Sequence, residues 1–357
     1  AFRLICEGFD FVRDDPSKLG IHVNFIDFGT PKNNSFKVVN QFIVEDLHTR
    51  IPDMLIFING IPVGIFEFKS AIEEGKTVHD AWEQITIRYA RDIPSLLKYT
   101  SLSVICDGAN TRLGTIFTPY QFYYSWNKAN EKDTVSNGIS SLFTMIEGVF
   151  AKDRILQILR DFIFYPDDSK KQEAIICRYP QFFAANKMLA NIQRHKKPKG
   201  DGKGGIYFGA TGCGKTYTML FLARLLMLRD RDRFHNPTIV LITDREDLDT
   251  QASKLFVTAK KYLHDENVRS IETREDLHDT LTNRESGGVY ITTIQKFCED
   301  TGILSERSNI ICISDEAHRT QTGVGEKLKK TEKGVFVTYG FAEYLRRCFP
   351  NATYCGF

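Results

Sequence analysis

The sequence predicts an α/β chain built of two domains, and three observations carry that expectation. The chain has 357 residues, a length that favours two domains over one. Short apolar runs alternate with helix-like stretches from end to end, the pattern of sheets covered by helices. A glycine-rich segment closing on Lys-Thr stands between one such apolar run and one such helical stretch. The hydrophobic share of 42% is ordinary for a globular chain, so each half can bury a core.

In the first half, strand-type runs fall at Lys37-Val38-Val39 and at residues 54–58, 62–69 and 102–106, with helical patterns at 78–89 and 139–164. Tyr165-Pro166-Asp167-Asp168 breaks the pattern and marks the boundary, giving domains 1–164 and 165–357. After a helical segment at 181–193, apolar runs recur at 205–208, 238–243, 288–293, 310–314 and 352–357, separated by helices. That alternation predicts a mostly parallel sheet covered on both faces.

Composition narrows the function. The net charge is +2, so any nucleic-acid binding must use local patches rather than a global field. The basic run from His195 to Gly205 could contact phosphates, but it reads first as a solvated loop, since Gly, Pro and Lys build no core. Eight cysteines show no Cys-x-x-Cys, which argues against zinc and against a disulfide scaffold. Free thiols point to a cytoplasmic protein. Ala1 opens without Met and without a signal-peptide pattern, so the chain is expected to continue upstream. The longest apolar stretch, 219–228, is too short for a bilayer and contains Arg224, so no membrane is expected as a partner.

Pro52-Asp53 is followed, thirteen residues on, by Glu67-Phe68-Lys69. Asn59-Gly60 between the two strand runs is a hairpin signal. A two-residue turn with regular pairing would set Asp53 opposite Phe66 and put Glu67 on the other face. A three-residue loop, Asn59-Gly60-Ile61, would set Asp53 opposite Glu67 and so join both carboxylates. Lys69 shares the face of Glu67. Two carboxylates with water can hold Mg²⁺, and the lysine can position water and stabilise the phosphorane. The alternative is an exposed hairpin with ordinary polar residues. Yet the run Gly64-Ile65-Phe66-Glu67-Phe68-Lys69 is mostly apolar, and charges set into such a run are costly without a purpose.

The second constellation is Gly209-Ala210-Thr211-Gly212-Cys213-Gly214-Lys215-Thr216, after an apolar run and before a helical one. Its glycines allow a tight loop whose N–H groups face phosphates at a helix N-terminus. Lys215 would reach the β- and γ-phosphates of ATP, and Thr216 would bind Mg²⁺. Ile310-Ile311-Cys312-Ile313 then leads into Ser314-Asp315-Glu316-Ala317-His318. The carboxylates thus emerge at a strand's C-terminal end, where open α/β sheets bind ligands. Asp315 would hold Mg²⁺ through water, and Glu316 would activate the hydrolytic water.

The Asp53/Glu67/Lys69 set resembles the PD-(D/E)xK nuclease fold. That resemblance brings in Glu7 as an upstream acid, and Gln84 and Tyr89 as the glutamine and tyrosine of the following helix. The two are five apart rather than four, which takes Tyr89 off the helical face of Gln84. The phosphate loop with Asp315-Glu316-Ala317-His318 resembles a superfamily 2 helicase or translocase. Gln181 is then similar to its adenine-reading glutamine, and Thr243-Asp244-Arg245 and Thr292-Thr293-Ile294-Gln295-Lys296 to its DNA-contacting motifs.

Taken together, the halves resemble the restriction (motor) subunit of type I restriction–modification enzymes. Asn40-Gln41-Phe42, Cys106-Asp107-Gly108, Arg178-Tyr179-Pro180-Gln181, the pattern Asp244-Arg245…Leu248…Gln251 and Asp315-Glu316-Ala317-His318-Arg319 agree with it. The resemblance implies ATP-driven translocation of double-stranded DNA and Mg²⁺-dependent cleavage away from the recognition site. It also implies partners: a methyltransferase subunit and a specificity subunit. One departure is that the chain stops at Phe357, where a helicase enters its third motif, so a second RecA-like domain and its arginine finger are missing. The chain is therefore expected to bind ATP and to hydrolyse it weakly. Two other readings stay open: a helicase-like ATPase with an inactive nuclease fold used for docking, and a nucleotide-controlled assembly module. A type III subunit is disfavoured by domain order.

Overall fold

The computed structural model describes residues 1–14, 19–70, 77–167, 173–210, 212–244, 246–297, 301–315, 327–331, 334–338 and 341–357. Thr211, Arg245, Glu316, Ala317, His318 and Arg319 lie outside the described residues. The chain divides into two compact units, Ala1–Tyr165 with Ser169–Tyr179, and Pro166–Asp168 with Pro180–Phe357.

In the first unit, α1 (Phe2–Glu7) leads into a small antiparallel ribbon of β1 (Phe9–Phe11) and β2 (Ile21–Val23). The body is a five-stranded sheet of β3 (Phe36–Asn40), β4 (Met54–Ile58), β5 (Ile61–Phe68), β6 (Leu102–Cys106) and β7 (Thr111–Gly114), in that order. β5 and β6 run parallel, and the other neighbours antiparallel. A parallel pair needs a crossover. Here it is helical: α2 (Val78–Glu83), a π-helical turn (Gln84–Tyr89), α3 (Ala90–Asp92) and α4 (Pro94–Leu97). Thr77 starts it with a capping box, its side chain accepting from the His79 N–H while Asp80 accepts from the Thr77 N–H. Val78, Ala81, Ile85 and Tyr89 then pack on Leu55, Ile65 and Ile105 of the sheet. Phe66 points to the opposite face and meets Phe150 at 4.9 Å between ring centroids.

The stretch 139–164 is not one helix. It breaks between α5 (Ser141–Val149) and α6 (Lys152–Asp161), where Phe150 leaves the helix and Ala151 is extended at ψ 136. Its last residues form β8 (Ile163–Phe164), paired with β9 (Ile175–Ile176).

The second unit opens with α7 (Tyr179–His195) and is built on a six-stranded sheet. Its strands are β10 (Lys203–Ile206), β11 (Thr238–Thr243), β12 (Val268–Ser270), β13 (Val289–Thr293), β14 (Ile310–Ser314) and β17 (Thr353–Gly356). The order is β10-β17-β14-β11-β13-β12, and every pairing is parallel. The crossovers include α8 (Lys215–Arg224), α9 (Glu246–Val257), α10 (Lys260–Leu263) and α11 (Arg274–Thr282). β11, β13 and β14 are buried along their whole length, which fits runs of Ile and Val covered on both faces. A ribbon of β15 (Lys327–Thr331) and β16 (Gly334–Thr338) is separate from that sheet.

Two strands depart from the sequence reading. β12 has no apolar run; Val-Arg-Ser is a strand because it pairs with β13 at an edge. The strand placed at 205–208 lies earlier, because the Tyr354 N–H reaches the Gly202 carbonyl and the Tyr207 N–H reaches the Gly356 carbonyl. Phe208 is left beyond the sheet, 96% exposed.

The basic loop after α7 is held by its own charges. His195 Nδ1 and Asp201 Oδ1 are 2.8 Å apart, Lys196 donates to the Arg233 carbonyl and sits over Phe234, and Lys197 donates to the Pro350 carbonyl. Among the described residues no helix is long and apolar enough to cross a membrane.

Candidate active sites

The carboxylate site is set by the β4–β5 hairpin, by a device the sequence reading did not include. The turn has two residues, not three: Ile58 pairs with Ile61 across Asn59 (φ 51) and Gly60 (φ 84). Both central residues at positive φ suit a tight hairpin turn, and Asn-Gly accepts that backbone most readily. The register then shifts between Ile56 and Phe57, where Val63 is the extra residue of a β-bulge. Beyond the bulge Leu55 faces Ile65 and Met54 faces Phe66, so the next rung sets Asp53 beside Glu67. The bulge does what the three-residue loop was expected to do. The freed Val63 carbonyl is satisfied by the Ser101 N–H at 3.0 Å.

Asp53 is fixed from two sides. Its Oδ2 accepts from the Phe68 N–H at 2.8 Å, and its Oδ1 from Gln41 Nε2 at 3.3 Å. Gln41 is one rung past the Asn40–Met54 pair and also donates its backbone N–H to the Asp53 carbonyl. It was noted only as part of Asn40-Gln41-Phe42; extending the β3–β4 register by one residue would have singled it out.

Glu67 is 2% exposed and stands at the centre of a closed network. Lys69 Nζ donates to Glu67 Oε1 and to Gln84 Oε1, both at 2.8 Å. Gln84 Nε2 donates to Glu67 Oε1 and, at 2.7 Å, to the Tyr89 hydroxyl. The Tyr89 hydroxyl donates to Glu67 Oε2 at 3.1 Å. Burial pushes the Glu67 carboxyl above its ordinary range; Lys69 opposes that shift and the charge of Asp53 adds to it. Burial also pushes the Tyr89 phenol up, so it remains a donor.

The expectation that Tyr89 falls off the face of Gln84 is overturned. Gln84–Tyr89 is a π-helical turn, with i→i+5 rather than i→i+4 bonding. The wider turn brings residues five apart onto one side, which is the spacing of this pair. The Glu7 carboxylate pairs with Arg3 at 2.8 Å, one turn back on α1.

In the second unit the phosphate loop links β10 to α8. Gly212 (φ 79) and Gly214 (φ 82) are left-handed, and Gly214 is the N-cap of α8. Lys215 and Thr216 are therefore its first two residues, where backbone N–H groups lack helical acceptors. A side chain on Gly209 would collide with Cys213 Sγ, 2.8 Å from the added carbon. Gln181, buried on α7, donates through Nε2 to the carbonyls of Cys213 (3.4 Å) and Gly214 (3.2 Å), joining the loop from outside it. Asp315 follows β14, and its N–H bonds the Ile242 carbonyl at 2.8 Å. Because the sheet is parallel, Asp315 and the phosphate loop emerge at the same edge. There Gln295 Nε2 donates to the Asp244 carbonyl at 2.6 Å, tying the loops after β11 and β13. The seven described cysteines are free thiols.

A carboxylate–lysine centre on a mixed sheet, followed by a phosphate loop on a parallel one, defines an α/β chain with an N-terminal PD-(D/E)xK nuclease fold and a RecA-like P-loop domain. Comparison with known families agrees on both parts. The family model for the type I restriction enzyme R protein N terminus matches residues 2–122, and the SWI2/SNF2 ATPase model matches residues 180–357. The type I restriction enzyme HindI endonuclease subunit of Haemophilus influenzae is 33% identical over 100% of this chain and 34% of its own length. The SauCOLORF180P endonuclease subunit of Staphylococcus aureus is 24% identical over 99% of this chain and 35% of its own. This chain belongs to the type I restriction enzyme R-protein family. It spans about a third of the length of these relatives.

Proposed function

We infer that the chain is the nuclease and ATP-binding part of a type I restriction motor subunit, acting on double-stranded DNA with methyltransferase and specificity subunits in the cytoplasm. The network around Glu67 carries this reading. A buried carboxylate beside a second one, with a lysine, a glutamine and a tyrosine all spent on holding it, is costly for a fold and has little structural purpose.

Asp53 and Glu67 fit a divalent cation. They are adjacent across the ladder, and their mutual repulsion contributes to the raised Glu67 carboxyl. Among the described residues no cluster of three or more His, Cys, Asp or Glu forms a cation cage, so the remaining ligands would be water and phosphate oxygens, as Mg²⁺ prefers. A bound Mg²⁺ would neutralise the scissile phosphate and acidify water for attack. Lys69, held between Glu67 and Gln84, presents its charge where the phosphorane forms. Gln41 and the Phe68 N–H keep Asp53 turned to the same place. In the second unit Lys215 and Thr216 would take the ATP phosphates and their Mg²⁺, Gln181 would set the loop against the base, and Asp315 with Glu316 would serve the Mg²⁺ and the water.

The test is Lys69→Ala in the full-length subunit assembled with its partners, scoring plasmid cleavage and DNA-stimulated ATPase together. Cleavage should fall at least 100-fold, on the order of losing a positioned charged group, with ATPase unchanged. Cleavage at the wild-type rate would end the nuclease reading of this hairpin.

A further inference from the structure

The π-helical turn has a second consequence, on its outer side. Two cavities open beside the Glu67 network, of about 510 and 430 Å³. Gln84 and Arg88 line both, so Arg88 stands at the ridge between them, next to the network. Four cationic side chains line these walls, with the carboxylates of Asp80 and Glu83 on the wall of the larger cavity. Lys69 is bonded to Glu67 and Gln84. Arg50 and Arg91 both bond the buried carboxylate of Asp92, at 2.7 and 2.6 Å. Arg88 is exposed, and among the described residues it makes no hydrogen bond or ion pair.

In an ordinary α-helix residue i+4 lies over residue i, and Arg88 would stack on Gln84. In the π turn Tyr89 occupies that place, and Arg88 is displaced to the rim. The wide turn thus uses one neighbour to close the buried network and leaves the other available outside it.

We propose that Arg88 anchors a backbone phosphate of the DNA strand that is cut, one that flanks the scissile phosphate rather than the scissile phosphate itself. The proposal rests on the nuclease reading of the Asp53–Glu67–Lys69 site. A strand drawn to two carboxylates needs fixed positive charge beside them, and a guanidinium fits phosphate oxygens in a fork. The cavities on either side give the adjoining nucleotides room to pass.

The experiment uses the full-length subunit assembled with its partners, with the single-turnover rate of plasmid cleavage followed over a range of salt in which DNA-stimulated ATPase stays constant. Arg88→Ala should slow cleavage about tenfold at the upper end of that range and flatten the slope of log rate against log salt by about 0.9, the loss of one phosphate contact. Arg88→Lys keeps the charge and should restore the slope, while the rate recovers only in part because the fork is lost. An unchanged slope and rate in Arg88→Ala overturns the proposal, as does a slope that stays flattened in Arg88→Lys. Lys69→Ala measured alongside separates the two readings. Cleavage abolished there but untouched in Arg88→Ala sinks the Arg88 inference alone, and cleavage intact in Lys69→Ala removes both.

Discussion

Glu67 and Asp92 are both buried carboxylates, and the structure treats them oppositely. Glu67 has one cationic neighbour and one anionic one, and its carboxyl is raised. A carboxyl raised in the fold opposes folding at neutral pH, where it must ionise out of water. Asp92 is fully buried by area, yet two guanidinium groups hold it well below the usual carboxylate range: Arg91 first, then Arg50. Its sign is the reverse. A depressed carboxyl stabilises the fold above its unfolded pKa, and that stabilisation is lost as pH falls toward the folded value. Asp92→Asn should therefore be less stable than wild type at pH 7, and the gap should close progressively below about pH 4. Thermal midpoints of both proteins across that window check it; a gap that stays constant with pH would show that Asp92 acts through shape alone. Gln41 is an ordinary polar letter in the sequence, and only the register and the turn give Gln41, Gln84 and Lys69 their partners.

At the scale of elements, two one-residue irregularities assemble the cluster around Glu67: the bulge at Val63 and the π turn at Gln84–Tyr89. The strands themselves were legible, since β4 is where the apolar run ends at Asn-Gly and α2 begins at its capping box. The bulge was not, because a hairpin's register depends on where its strands pair best, not on the turn alone. The π turn was not, because local spacing reads as α-helix unless a tertiary contact widens it. Its role predicts the effect of a deletion. Removing Ile87, which is exposed, should return the pair to the i,i+4 spacing of an α-helix and keep the Gln84–Tyr contact. Cleavage by the assembled enzyme should stay within about threefold of wild type, a barrier change under about 1 kcal/mol. Inserting an alanine at the same place should rotate Tyr89 away and lower cleavage at least tenfold. Equal loss in both variants would mean that the turn matters for some other reason.

Across the whole molecule the two sites are chemically independent in what they hold, yet in the proposed function they are ordered. A motor must run before a cut is made at a distance. The expected asymmetry is that Lys69→Ala loses cleavage alone, whereas Lys215→Ala loses both DNA-stimulated ATPase and cleavage in the assembled full-length enzyme. Lys215 sits at the first turn of α8 and is not among that helix's buried residues, and the proposed function gives its charge to the nucleotide phosphates. Cleavage by Lys215→Ala at the wild-type rate would break the link between the motor and the nuclease.

By itself the sequence determined the two α/β halves, the hairpin at Asn59-Gly60 and the glycine-rich loop ahead of a helix, because each is written in local spacing: apolar period, Asn-Gly, and Gly-x4-Gly-Lys-Thr. Tertiary structure alone decided the register that joins Asp53 to Glu67, the wide turn that recruits Tyr89 and sets Arg88 aside, and the fate of Lys196 and Lys197, which bond to carbonyls rather than standing free. The physical reason is common to all three. Each is a choice between conformations of nearly equal local energy, and pairing and burial with residues distant in the chain decide it.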